Sequence, residues 1–216
     1  MGVGYGDWWY GQYGLSEPPA DAGPRRTNLT LVTPPASEPV ALSDAKLHLR
    51  VDIDDEDSLI SGMVASAREL VERWTGRALL TQTWKWTADS FPWYYKPIVL
   101  GRAPLIAVSQ IQYYDTSGVL QTLASNQYNA DPLSRAGEIW PAFGVQWPYT
   151  NLQSNAVTVT FTAGYADTPT VPSSLKSAIL LTLGDLYENR ESSMPSGIVE
   201  NPAVQRLIDP YRLSLT

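Results

Sequence analysis

One histidine, His48, is the only imidazole in the 216 residues. An HExxH zinc site needs two histidines on one helix face, so that chemistry is excluded. A serine-type triad needs a nucleophile and an orienting acid around the base, and the sequence around His48 suggests neither. No GxSxG, GxxxxGK[ST] or GxGxxG motif occurs. "GVGYG" near the start is glycine-rich, but no strand precedes it and no helix follows, so it cannot cradle a phosphate. The acidic run Asp54–Asp57 lacks the alternating ligands and turn glycine of a calcium loop. It reads as a helix start, where carboxylates favour the positive end of the dipole. Asp185, Glu188 and Glu191 fall three apart on one helix face, with Lys176 and Arg190 nearby, as on a solvated surface. A small hydrolase with a carboxylate pair is the least favoured alternative. No catalytic, cofactor-binding or metal-binding residue is assigned, and no cofactor is expected.

With so little chemistry, the elements that would have to position it become the subject. The chain carries a net charge of −7, no cysteine, eight Trp and twelve Tyr against three Phe. An acidic surface argues against holding nucleic acid by its phosphates, but not against letting it slide past. Without cysteine there is no disulfide framework and no thiolate metal site. No apolar run approaches a membrane span, and the first residues lack a signal peptide's basic start and apolar centre. The reading is a protein made in the cytoplasm, with no membrane partner. Trp and Tyr join apolar area to a polar handle, which suits protein interfaces as well as cores.

The chain divides into three parts. Residues 1–38 read as an extended N-terminal arm rich in aromatic residues, Gly and Pro, a composition that resists regular structure. Its Tyr5, Trp8, Trp9, Tyr10 and Tyr13 are costly to leave in water and form a candidate subunit-contact arm. Residues 39–192 read as an α+β core. "LSDAKLHL" forms a short helix capped by Ser43, with Leu42, Ala45, Leu47 and Leu49 as apolar contacts. A long helix covers about 55–75, capped by Asp54, with Leu59, Ile60, Met63, Val64, Ala67, Leu70, Val71 and Trp74 at helical spacing. Gly76 ends it as a left-handed cap. Residues about 82–163 are β-rich and mostly antiparallel. Thr83, Lys85 and Thr87 alternate with Trp84, Trp86 and Ala88. Strands are expected at 98–100, 108–114, 119–123, 127–130, 138–140 and 156–162, with "DTSG" turning a hairpin. A second helix covers about 173–190. Residues 193–216 read as a loop, a short helix capped by Asn201, and a tail. The fold class is thus a small helical bundle with an inserted, mostly antiparallel β-domain.

The corner "WTGRALLTQTW" joins the long helix directly to the sheet. Trp74, Leu79 and Leu80 are expected to lock the two together around Gly76, so that the subunit behaves as one rigid wedge. The acidic helix start, this corner, "FTAGY", "VPSSLKSAILLTLGDLYENRE" and the closing "PYR" follow one another in an order that resembles the head–tail connector (adaptor) proteins of tailed bacteriophages and gene transfer agents. The resemblance covers roughly residues 40–212, and the aromatic arm departs from it. It implies a structural virion protein of the neck, at the head–tail interface, with no enzymatic activity. It further implies a homo-oligomeric ring, usually of twelve copies, bound beneath the portal protein. Such a ring extends the DNA channel without sequence-specific binding and docks the next neck or tail protein. By the same analogy Pro210, Tyr211 and Arg212 become candidate portal contacts, and deletion of 202–216 is expected to spare the fold. The alternative is a tail-completion or capsid-decoration interaction protein.

Overall fold

The computed structural model describes residues 26–93, 95–189 and 201–213. Eight strands and four α-helices make up this α+β fold among the described residues. The helices are α1 (Leu42–Leu49), α2 (Asp57–Thr75), α3 (Ser173–Glu188) and α4 (Pro202–Ile208). The strands are β1 (Thr27–Thr33), β2 (Gln82–Ala88), β3 (Ile98–Val99), β4 (Leu105–Tyr114), β5 (Leu120–Thr122), β6 (Tyr128–Asp131), β7 (Glu138–Pro141) and β8 (Val157–Ala163). They form two antiparallel sheets, in the orders β1-β2-β8-β4-β5 and β3-β7-β6.

Two apolar clusters organise the molecule. In the first, Trp84 and Trp86 of β2 face the same side as Val157, Val159 and Phe161 of β8, as the period-two alternation requires. Ile98 and Ile139 of the small sheet close over that side. In the second, Ile60, Val64, Ala67 and Val71 of α2 meet Leu175, Ala178, Ile179 and Leu183 of α3, with Val204 and Ile208 of α4 against them. Leu79 and Leu80, from the corner after α2, belong to the helical cluster.

Several local expectations are corrected. Ser43 does not cap α1, which starts at Leu42 after Ala41 and has no side-chain cap. Asp54 does not cap α2; the N-cap is Glu56, also without a side-chain cap bond. Asp54 and Asp57 instead both accept from Lys46 Nζ, at 2.6 and 2.7 Å, tying α1 to the start of α2. Leu47 and Leu59, read as apolar contacts, lie exposed. The sequence reading has no strand before residue 98 other than the one at 82–88, yet Thr27–Thr33 pairs antiparallel with β2, Leu29 opposite Trp86 and Leu31 opposite Trp84. The other expected strands are present with ends moved by one to three residues, and the Asp115–Gly118 turn joins β4 to β5.

One glycine is fixed by contact with the backbone. A Cβ on Gly164, in "FTAGY", would lie 2.0 Å from the carbonyl oxygen of Leu80, and its φ is +128°. The end of β8 and the start of β2 cross too closely for any side chain there.

Candidate interaction surfaces around the helix–sheet corner

Glu72, one turn before the end of α2, is buried together with Arg68 and Gln82. Its Oε2 accepts from Arg68 Nη1 at 2.7 Å. Its Oε1 accepts from the Leu79 backbone N–H at 2.8 Å and from Gln82 Nε2 at 2.5 Å. One carboxylate therefore holds a helix residue, a corner residue and the first residue of a strand. Arg68 Nε also donates to Glu38 at 2.8 Å, which brings in the segment before α1. Burial pushes the Glu72 carboxyl above its ordinary range, against the pull of the Leu79 N–H and the Arg68 charge. Burial alone would lower Arg68, but the Glu72 and Glu38 carboxylates outweigh it and raise it. Such a network holds one geometry, because breaking any of these bonds leaves a buried polar or charged group short of a partner. Sequence reasoning missed Glu72; the available signal was Arg68 and Glu72 at i, i+4 on a helix face that is otherwise apolar.

Gly76 stands beside this network with φ 73°, and its N–H donates to the Glu72 carbonyl at 2.9 Å. Leu79 and Leu80 are buried and Trp74 half-buried, all within the helical cluster. The chain then runs against the segment before β4, where the Ala78 N–H donates to the Ala103 carbonyl at 3.0 Å. On the sheet side the Arg102 guanidinium lies 4.6 Å over the Trp84 ring. Burial pushes Arg102 below its ordinary range.

The C-terminal segment packs on the same corner. The Leu213 N–H donates to the Thr75 carbonyl at 2.9 Å, and its side chain lies 3.1 Å from where a Gly76 Cβ would be. Arg77 Nε donates to the Tyr211 carbonyl at 2.8 Å. Tyr211 is thus half-buried against the corner, whereas Pro210 and Arg212 are exposed, with Arg212 paired to Asp209 at 3.0 Å. Val204 and Ile208 are buried in the helical cluster. The expectation that 202–216 can be deleted without loss of fold is therefore corrected. Tyr5, Trp8, Trp9, Tyr10 and Tyr13 lie outside the described residues.

Nothing in the geometry assembles catalytic machinery among the described residues. His48 is exposed, on the side of α1 near Gly184. Two surface depressions hold one carboxylate each, Asp89 and Asp167. Asp89 accepts from the Asn155 N–H and Asp167 caps a turn at Thr170. Asp185 accepts from Asn201, and Glu191 lies outside the described residues. No group of His and carboxylates suited to a metal is present among them, nor is any helix long and apolar enough to cross a membrane. What stands out is apolar exposure on ordered turns. Phe143 and Leu152 are fully exposed and Leu133 is 91% exposed. Phe143 sits at the tip of a turn closed by Val145 N–H to the Ala142 carbonyl at 2.9 Å, with Gly144 at φ 76°.

Residues 39–129 match the family model described as phage gp6-like head-tail connector protein. This segment is similar to the head–tail connector family. The resemblance read from the sequence is borne out there. Similarity of fold extends past the matched segment. A chain from the neck of an empty gene transfer agent (GTA) particle solved with C6 symmetry superposes with TM-score 0.72 at 23% identity, over 88% of this chain and 97% of that one. A chain from the virion of a native GTA particle gives 0.70 at 22%, over 87% and 96%. One from the neck of a native GTA particle solved with C12 symmetry gives 0.62 at 21%, over 88% and 97%. At these identities the likeness establishes a shared fold. No curated protein sequence matches the chain.

Proposed function

We propose that this connector is a subunit of the neck in the virion of a phage or gene transfer agent, synthesised in the host cytoplasm and built into the head–tail interface. In this reading twelve copies form a ring beneath the portal protein. The ring continues the DNA channel without sequence-specific contact and presents a surface to the next neck or tail protein. The observation that carries the reading is the family match over 39–129 joined to a fold shared with GTA neck chains along nearly nine-tenths of the molecule. The physical character of the subunit agrees with it. A ring subunit needs a fixed shape and two different contact surfaces. The Glu72 network supplies the first, and exposed apolar side chains on ordered turns suit the second.

The portal-facing end is assigned to the C-terminal segment, with the exposed Pro210 and Arg212 as its contacts and Tyr211 anchoring it to the corner. The aromatic arm, with Tyr5, Trp8, Trp9, Tyr10 and Tyr13, is assigned to a neighbouring subunit or another neck protein. The test is negative-stain imaging of the purified portal ring with and without this protein. The expected result is an added ring of density at one pole. Portal and protein both folded, with no added density, would move the assignment to tail completion or capsid decoration. Because residues 202–208 hold the fold, Arg212→Glu and not truncation probes the portal contact. It should weaken binding at an unchanged melting temperature.

A further inference from the structure

We infer that two patches at opposite ends of α2 are the two halves of one contact between successive copies of this chain. The inference rests on the ring reading and names the surfaces that build it. The first patch is the loop between α1 and α2. Asp52 and Asp55 are exposed and form no ion pair among the described residues. Ile53 stands between them 58% exposed, with Leu47 of α1 at 79%. Asp54 and Asp57, by contrast, are taken up by Lys46, which fixes the loop.

The second patch lies beyond the other end of the helix. Arg102 precedes the residue that bonds the corner at Ala78, and its Nε is buried without a partner among the described residues. Arg135 is its neighbour in space, since the Gly101 N–H donates to the Ala136 carbonyl at 3.0 Å. Arg135 is exposed and has no ion pair among the described residues. Leu133 projects beside it from a loop whose shape is set by Asp131 Oδ1, which accepts from the Leu133 and Ser134 N–H groups at 2.9 and 3.2 Å. The first patch thus sets Leu47 and Ile53 beside the exposed Asp52 and Asp55, with Arg50 at its edge, and the second sets Leu133 beside the exposed Arg135. Exposed apolar side chains flanked by complementary charge give an interface both area and register.

The patches cannot meet within one molecule. The 19 residues of α2, about 28 Å at 1.5 Å per residue, run from the first patch to the corner beside Ala103 that leads to the second. A second copy can bring them together, and because the two patches differ, the contact is head-to-tail and closes only by rotation into a ring.

The chain has no cysteine, so an engineered pair reports alone. Full-length I53C/L133C is oxidised, both free at high concentration and bound to portal rings, beside each single variant and wild type treated with an amine-reactive cross-linker. The expected result is a ladder of covalent oligomers from the double variant and nothing larger than dimers from the singles. Adding Arg135→Glu should reduce the ladder on the order of tenfold, and adding Asp55→Arg to that should restore it. An amine-linked ladder without a cysteine ladder overturns this contact and leaves the ring reading standing. Oligomers in neither treatment overturn both. A ladder indifferent to Arg135→Glu overturns the charge pairing on which the inference rests.

Discussion

The helical half and the β half of this protein use their apolar residues differently. In the helical half most of them point inward, with Leu47 of α1, Ile53 of the loop after it and Leu59 of α2 left exposed. Four elements converge on one cluster, and a buried carboxylate ties helix, corner and strand together. In the β half the sheet has its own core, but its connecting turns carry Leu133, Phe143 and Leu152 outward. The first arrangement fixes a shape. The second leaves more apolar surface open for contact.

The comparison breaks most visibly at Glu72. Glu72→Ala should cost roughly 3–5 kcal/mol, because Arg68 is left buried with only the more exposed Glu38 and Glu69, and the Leu79 N–H loses its acceptor. Chemical denaturation, following the change in midpoint, measures it. Ile208→Ala should cost about 2–5 kcal/mol by opening a cavity in the helical cluster. That would establish α4 as part of the fold and not an appendage; a loss under 1 kcal/mol would reverse the conclusion. Gly76→Val should cost about 1–3 kcal/mol, since φ 73° strains a β-branched residue and its Cβ meets Leu213. An unchanged melting temperature would contradict that placement.

Two smaller effects sharpen the contrast. The hydrogen bond from Lys46, then its charge, holds the Asp54 carboxyl below its ordinary range. A depressed folded value means the stabilisation is present above the unfolded carboxylate pKa, about 3.9, and is lost as pH falls through the lower folded value. Thermal melts across acid pH should show a slight extra sag that Lys46→Met removes. Phe143→Ser should leave stability within about 0.5 kcal/mol, because the ring contacts solvent. A larger loss would mean the β-half turns hold the fold after all.

Much of this architecture was legible in the sequence. The three-and-four spacing from Ile60 to Val71 marked α2, Gly76 marked its end, and the Trp84/Trp86 alternation marked β2 and its two faces. What escaped had physical reasons. Thr27–Thr33 sits in a Pro-rich neighbourhood, and its Leu29 and Leu31 alternation is short. Only pairing with β2 makes it a strand. Asp54 looked like a cap, but Lys46 lies across the turn and wins the carboxylate. Glu72 draws no reading from the sequence. Its role depends on Leu79 and Gln82 folding back on it, a tertiary event of which the i, i+4 pair with Arg68 is the only local trace. The short terminal helix looked peripheral because two of its seven residues, Val204 and Ile208, carry all of its fully buried surface.

Gly164 has a use beyond the fold. Where two chains share little more than a fifth of their residues, an alignment can slide by a residue along a threonine-rich strand such as β8 without any penalty to reveal it. A position where a backbone oxygen lies 2.0 Å from any added carbon tolerates no such slide. The glycine after "FTA" is therefore a landmark set by geometry, from which the register of β8, and through it of β2 and β4, can be carried to relatives too distant for sequence scoring to place.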